Sequence, residues 1–257
     1  MKKFILFITM IFIFLQSVQA KDITFIQATD THFSKNSPEL EKFINDVNSF
    51  ENIDFVIFTG DNIDTSDEAD LKAFLKEIKN LKVRPYVLIG NHDCFKNQGI
   101  DKDNYMKIVR KELGAYHSDK TCYTFNDNGI EFVVLDGAKQ IIPGATGYFN
   151  QNVLTWLDNT LSKHKDKKVV IFEHFPILKS PSKSHELYNK QEYLEVLKKH
   201  DNVIAIISGH YHKNFEEMVG KTYNIVTPAL KDGNYKIITI PEDDNIIFTQ
   251  LRNINSD

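Results

Sequence analysis

The sequence predicts an α/β protein: one domain in which two β-sheets pack together with helices outside. Three observations carry this. In the first half, short apolar runs alternate with segments whose apolar residues recur at i, i+3, i+4 and i+7, as in strands linked by amphipathic helices. The last third is rich in strands instead. Between them no repeat, low-complexity segment or linker divides the chain.

The chain opens on Met1-Lys2-Lys3, a short basic start. An almost wholly apolar run from Phe4 to Leu15 follows, then Val18-Gln19-Ala20 with small residues at the −3 and −1 positions. This is the pattern of a secretory signal cleaved after Ala20. The competing reading is a retained membrane anchor, but the apolar core is about a dozen residues, short of the ~20 that a span needs. Residues 1–20 are therefore expected to be removed, leaving residues 21–257 as the domain, with no stable membrane anchor. Its expected location is outside the cytoplasm, periplasmic or secreted. No Cys at the cleavage site suggests a lipoprotein.

Ile23 to Ala28 reads as the first strand. Ser37-Pro38-Glu39 opens a helix, with Ser as cap, Pro in the first turn and an early acid. Leu40, Phe43, Ile44 and Val47 form its apolar face. Phe55 to Phe58 is the second strand, and Leu71, Phe74, Leu75 and Ile78 mark the second helix. Tyr86 to Ile89 is the third strand, so the first half implies right-handed crossovers and a parallel sheet. Residues 94–121 are polar and mostly loop, with a helix around Asn104 to Leu113. Asn126-Asp127-Asn128-Gly129 between Tyr123–Phe125 and Glu131–Leu135 signals a hairpin. Helices at Val153–Leu161 and Gln191–Lys199 alternate with strands at Val169–Phe172 and Val203–Ile207. Strands at Tyr223–Val226, Tyr235–Ile240 and Ile246–Leu251 end the chain.

The 237 residues left after cleavage (257 − 20) suit one large domain with a sizeable core. Two of the 31 basic residues go with the signal, so the net charge becomes 29 − 35 = −6. A mildly acidic chain without a basic run disfavours nucleic acid as a partner. Cys94 and Cys122 are the two cysteines, an even count that permits one disulfide in an exported protein. The alternative is two free thiols. Since Cys94 lies two residues after His92, the expectation pursued is that the pair is joined and fixes that loop.

Five strand ends terminate in metal-ligand residue types: Asp30-Thr31-His32, Gly60-Asp61, Gly90-Asn91-His92-Asp93, Glu173-His174 and Gly209-His210-Tyr211-His212. In extended chain, residues i and i+2 share a side, so Asp30/His32 and His210/His212 are ready chelating pairs. One βαβ unit separates Asp30 from Asp61 and Asp61 from Asn91, which brings all three to one sheet edge. Singly, a His after a strand is an ordinary polar residue and Gly-Asp a common turn. Jointly, five of nine histidines fall in these segments, and the set reads as a metal site. His117, His164, His185 and His200 lie in polar contexts and read as surface residues.

Asp-x-His, Gly-Asp, Gly-Asn-His-Asp, a lone His and Gly-His-x-His, in that order from residue 30 to 212, resemble the calcineurin-like metallophosphoesterases. The resemblance implies a four-layer αββα sandwich, two mixed β-sheets face to face with helices outside, and two metal ions at the sheet edge. Carried over, Asp30, His32 and His212 hold the first ion, Asn91, His174 and His210 the second, and Asp61 bridges both. His92 is the implied acid. Asp64 matches the family's second Asp in Gly-Asp-x-x-Asp and is its expected orienting partner, the competing reading being a loop acid that caps the next helix.

The chemistry agrees with that assignment. Two ions about 3.5–4 Å apart clamp a phosphoryl group, and a metal-bound hydroxide formed near neutral pH is the nucleophile. A carboxylate can bridge two ions where an imidazole cannot. The leaving alkoxide needs a proton, and His titrates in the right range. Mixed imidazole and carboxylate donors suit Mn, Fe or Zn without choosing between them. The family's Ser/Thr protein phosphatases carry Arg where Thr65 stands here and Glu where Asp93 stands, which argues against a protein phosphatase. The spacing, with Gly147-Tyr148 and Trp156-Leu157, is more like the bacterial subgroup that includes class III cyclic-nucleotide phosphodiesterases. The chain is also expected to be too short for the second domain of exported 5′-nucleotidases. The reading is a metal-dependent hydrolase of small-molecule phosphomonoesters or phosphodiesters. A non-enzymatic interaction module on the same fold and a metal-dependent nuclease are the alternatives.

Overall fold

The computed structural model describes residues 22–35, 37–242 and 246–255, so the apolar start and its cleavage point lie outside the described residues. Strand β1 (Ile23–Ala28), helix α1 (Pro38–Val47), β2 (Phe55–Thr59), α2 (Glu68–Ile78) and β3 (Arg84–Leu88) form the predicted alternation. The four apolar residues read for each of α1 and α2 are all buried. Ser37 stands at the start of α1, but its hydroxyl accepts from the Ser34 amide at 2.9 Å and makes no cap bond to the helix. The cap expected there is therefore absent, and Pro at the first turn, which has no N–H to satisfy, starts the helix.

After α3 (Lys102–Leu113), β4 (Tyr123–Asp127) and β5 (Ile130–Val134) form the hairpin. Asn128 (φ 44°) and Gly129 (φ 80°) make its two-residue turn, both left-handed as such hairpins require. There follow α4 (Gln151–Lys163), β6 (Val169–Phe172), α5 (Lys190–Leu197), β7 (Val203–Ser208), β8 (Phe215–Val219), β9 (Thr222–Val226), β10 (Asn234–Ile240) and β11 (Phe248–Asn253). The sequence reading missed β8. It is an edge strand with all five residues exposed, so it carries no apolar alternation to read.

Two mixed sheets result, ordered β11-β10-β1-β2-β3 and β4-β5-β6-β7-β9-β8. In the first, β1, β2 and β3 are parallel, and β10 returns antiparallel beside β1. In the second, β5, β6, β7 and β9 are parallel. Phe25 and Phe55 of the first sheet stack at 4.8 Å and meet Phe132 of the second edge-on at 5.7 and 5.0 Å. Phe43 of α1 and Phe74 of α2 pack on Phe58, covering the far side of the first sheet. Burying each such ring contributes ~2–3 kcal/mol. The sheets are thus glued by an aromatic layer, and their strands point the same edge at the site.

Cys94 and Cys122 are free thiols, which corrects the expected disulfide. Cys94 is buried behind the Gly90–Asp93 turn, and the Cys122 sulfur instead accepts from the Asp136 amide at 3.4 Å. His117 is buried rather than on the surface. It accepts from the Val87 amide at 3.1 Å through Nε2 and donates to Ser118 O at 3.1 Å through Nδ1. His200 and His164 are also largely covered, lying 2.7 Å from Asp158 and 3.3 Å from Glu131.

Candidate metal centre

All seven ligand candidates follow strand ends, and five of them sit in forced turns. Asp30 (φ 51°), His32 (43°), Asp61 (50°), His210 (68°) and His212 (52°) all have left-handed backbone. Asn128 in the hairpin is the one other described non-glycine residue that does. Such conformations cost ~1–3 kcal/mol each and persist where the surroundings enforce them, commonly at functional sites. They also correct the reasoning behind the chelating pairs. Asp30/His32 and His210/His212 are aimed by left-handed turns, not by the alternation of an extended strand. Main-chain bonds hold the turns: the Asp30 amide donates to Gly60 O at 3.0 Å and the His32 amide to Asp61 O at 2.9 Å.

The side chains converge from both sheets. Asp30 Oδ1 accepts from His212 Nε2 at 3.0 Å and lies 4.0 Å from both His32 Nε2 and His174 Nε2. Asp61 Oδ2 lies 3.3 Å from His174 Nε2 and 3.9 Å from His32 Nε2, while its Oδ1 accepts from the His92 amide at 2.8 Å. Asn91 Oδ1 is 3.2 Å from His174 Nε2. Three triads could each hold a cation, with ligand atoms within 4.8 Å of one another: Asp30–His32–His212, His32–Asp61–His92 and Asp61–His174–His210. The first and third correspond to the two expected sets. The second puts His92 within reach of a ligand role.

Electrostatics sharpen the picture. Burial alone would raise the pKa of Asp61, but the charge and hydrogen bond of His174 pull it below the carboxylate range. Asp30 is lowered too, burial being outweighed by the His212 hydrogen bond and the His174 charge. Burial works against a proton on His174, yet the two carboxylates and the carbonyl of Thr59 hold its pKa up at about 9. His210, buried beside His174, is pushed down to about 3. His210 Nε2 and both ring nitrogens of His32 are buried without a hydrogen-bond partner. Two buried carboxylates facing orphaned imidazole nitrogens are what a cation would satisfy, so these donors fit a transition metal.

The cleft above, about 350 Å³, is lined by His32, Asp61, Asn91, His210 and His212. His92 lies in its wall, and Nδ1 donates to Asp64 O at 2.7 Å, leaving Nε2 free. Asp64 therefore orients His92 through its main chain. Its carboxylate, expected to do so, instead lies 3.4 Å from His32 Nδ1. Residue spacing could not separate the two, since both belong to Asp64. Nor does Asp64 cap α2, because Asp67 does that by accepting from Ala69 and Asp70. Asp93 accepts from the amides of Gly90, Asn62 and Ile63 at 2.7–3.1 Å, tying the second and third strand ends together.

Two further residues reach the cleft: His185, expected on the surface, and Lys231, which the sequence did not single out. The His185 ring lies 5.2 Å from that of His210, and Lys231, whose amide donates to Asp30 O at 3.3 Å, stands on the rim. Neither belongs to a motif, and only the fold brings them in.

A family model described as calcineurin-like phosphoesterase matches residues 23–214. Among curated proteins the chain is 28% identical over 208 residues to a probable glycerophosphodiester phosphodiesterase of Arcobacter nitrofigilis, covering 73% of this chain and 71% of that one. It is 26% identical over 219 residues to a probable cyclic nucleotide phosphodiesterase of Coxiella burnetii, covering 80% and 83%. Among solved structures, a dimetal phosphatase from Danio rerio superposes with a TM-score of 0.69 at 16% identity, over 89% of this chain and 98% of that one, a likeness of fold.

Proposed function

The chain belongs to the calcineurin-like phosphoesterase family, and from that membership we propose a dinuclear-metal hydrolase of small phosphoesters, with phosphodiesters as the first class to test. One observation carries this. Ligand types from both sheets meet in three overlapping triads that share His32 and Asp61 at the floor of a small-molecule cleft. The two relatives described above bear phosphodiesterase names, which supports the diester class.

Asp30, His32 and His212 would hold one ion and Asn91, His174 and His210 the other, with Asp61 reaching both. Bound ions supply charge for the phosphoryl oxygens and an activated water. The chain's own residues do the rest. The Thr59 carbonyl, accepting from His174 Nδ1 at 2.8 Å, fixes that ring so that Nε2 faces the acids. Asp61 Oδ1, accepting from the His92 amide, fixes the loop that carries His92. In the cationic ring, His92 Nδ1–H donates to the Asp64 carbonyl and Nε2–H would pass its proton to the leaving alcohol oxygen, leaving the ring neutral. Mn, Fe and Zn all suit this donor set. Residues 21–257 are taken as one domain, and the basic and apolar start supports export with cleavage after Ala20.

The experiment is a turnover screen of protein reconstituted with Mn, Fe or Zn. It covers cyclic nucleotides, nucleoside monophosphates, glycerophosphodiesters and p-nitrophenyl esters. Hydrolysis of at least one diester class above the ion-only background is expected. Absence of turnover on every ester, with two ions bound, would reject the reading.

A further inference from the structure

Neither sheet alone supplies the centre. Asp30, His32, Asp61 and Asn91 follow strands of the first sheet, whereas His174, His210 and His212 follow strands of the second. The site therefore exists at one offset between the sheets. The aromatic layer sets their separation, but apolar packing is non-directional and does not by itself select a register. A directional contact lies directly beneath the centre.

Gln27 is fully buried on β1 and points inward with Phe25 and Thr29, its neighbours at two-residue spacing. Its Nε2 donates to Thr59 Oγ1 at 2.8 Å within its own sheet and to Ser208 O at 2.9 Å on the opposite sheet. Its Oε1 accepts from the hydroxyl of Thr227, just past β9 on the opposite sheet. The Thr227 amide donates to the same Ser208 carbonyl at 3.0 Å. Ser208 is two residues before His210. Thr59, on the other side, offers the carbonyl that orients His174. Thr29 Oγ1 bonds both that carbonyl at 3.2 Å and Asp30 Oδ2 at 2.8 Å. A buried amide costs free energy unless paired, and this one is anchored by one N–H in its own sheet and reaches the opposite sheet through the other N–H and its oxygen.

We propose that Gln27 is a positioning residue for the metal centre: its amide locks the two sheets at the offset where Asp30 and Asp61 meet His174 and His210. The proposal rests on the metal reading above. Gln27→Leu keeps the size and removes the lock. Without it the segment from Ser208 to His212 loses its anchor at Ser208 and keeps the bonds of the His210 amide and the His212 ring to Asp30, at 2.8 and 3.0 Å.

The test is Mn binding by calorimetry, with low-temperature electron paramagnetic resonance as a second readout, since a paired site gives an exchange-coupled spectrum and isolated ions do not. Gln27→Leu should bind Mn 10–100-fold more weakly, as for loss of other outer contacts that order ligands, and should lose the coupled spectrum. Thr227→Val should do so in part, and Thr227→Ser should restore wild-type binding. Leu161→Ala, a core cavity on α4 away from the cleft, controls for stability. It should melt lower yet keep both ions. Wild-type binding by Gln27→Leu, or an equal loss in Leu161→Ala, overturns the proposal. Should Gln27→Leu not fold, the two Thr227 variants decide by the same criteria. A wild-type protein that forms no coupled pair instead rejects the metal reading itself.

Discussion

Gly209→Ala probes how tightly the two sheets close at the centre. Gly209 is not among the left-handed glycines, so the effect is steric. A Cβ there would stand 1.9 Å from Thr29 Oγ1, 2.7 Å from Asp30 Oδ2 and 2.8 Å from Thr29 Cβ. Real Cβ contacts essentially never fall below 3.0 Å, so Thr29 and Gly209 must part by at least 3.0 − 1.9 = 1.1 Å. Thr29 is fully buried and its hydroxyl donates to Asp30 Oδ2, so that bond stretches or breaks. Overpacking costs ~1–3 kcal/mol, and a bond to a charged acceptor ~1.5–3 kcal/mol. The sum is on the order of 4 kcal/mol, or a melting temperature lower by roughly 8–16 °C for a chain of this size. Because the atom displaced orders a ligand, Mn affinity should fall at least tenfold. Thermal melts of the metal-free protein and calorimetric Mn titration measure both. A variant that melts within about 2 °C of wild type and binds Mn as tightly would refute the reasoning.

Three further outcomes follow from the geometry. Asp61→Ala should lose both ions, because Asp61 Oδ2 faces His174 and His32 together, whereas His212→Ala should lose one; elemental analysis showing two ions on Asp61→Ala contradicts this. His92→Ala should keep both ions and lose ~10²–10⁴-fold in rate on alkyl phosphoesters, and much less on p-nitrophenyl esters, whose leaving group needs no proton. Equal losses would count against the acid role, and lost metal would make His92 a ligand. Burial and the Arg110 charge, outweighing the Ser118 carbonyl, lower the His117 pKa from 6.5 to about 4, so the fold favours the neutral ring. Its stabilisation is present above pH 6.5 and disappears as pH falls toward 4, amounting to roughly 2–3 kcal/mol by pH 4.5. Urea unfolding of wild type and His117→Gln at pH 7 and 4.5 should show the smaller pH effect in the variant; an equal effect would exclude His117 as the cause.

Much of this molecule was legible from spacing. The i, i+3, i+4 faces of α1 and α2 are the buried faces, because one side of each helix must cover a sheet. The seven ligand candidates come together because each follows a strand and the topology carries strand ends to one edge. What failed was anything that depends on a backbone dihedral or on a contact across the fold. Left-handed turns at Asp30 and His210 aim the ligands, and no spacing encodes a φ angle. Asp64 serves through its carbonyl, which every residue has. His117 looked exposed among polar neighbours, yet Tyr86, Tyr116 and Tyr123 flank its buried ring. Gln27 did leave a trace, a lone amide in a mostly apolar strand, and its meaning needed the second sheet. His185 and Lys231 reach the cleft from segments with no signature.

The central claim is that two ions at this site make the chain a phosphoesterase. The direct measurement is hydrolysis of bis(p-nitrophenyl) phosphate by metal-free protein titrated with Mn, with bound metal counted at each point. The account predicts a rate that stays low through the first equivalent and levels off at two ions per chain, with Asp61→Ala flat throughout. A plateau at one ion, or hydrolysis unchanged in Asp61→Ala, would contradict it.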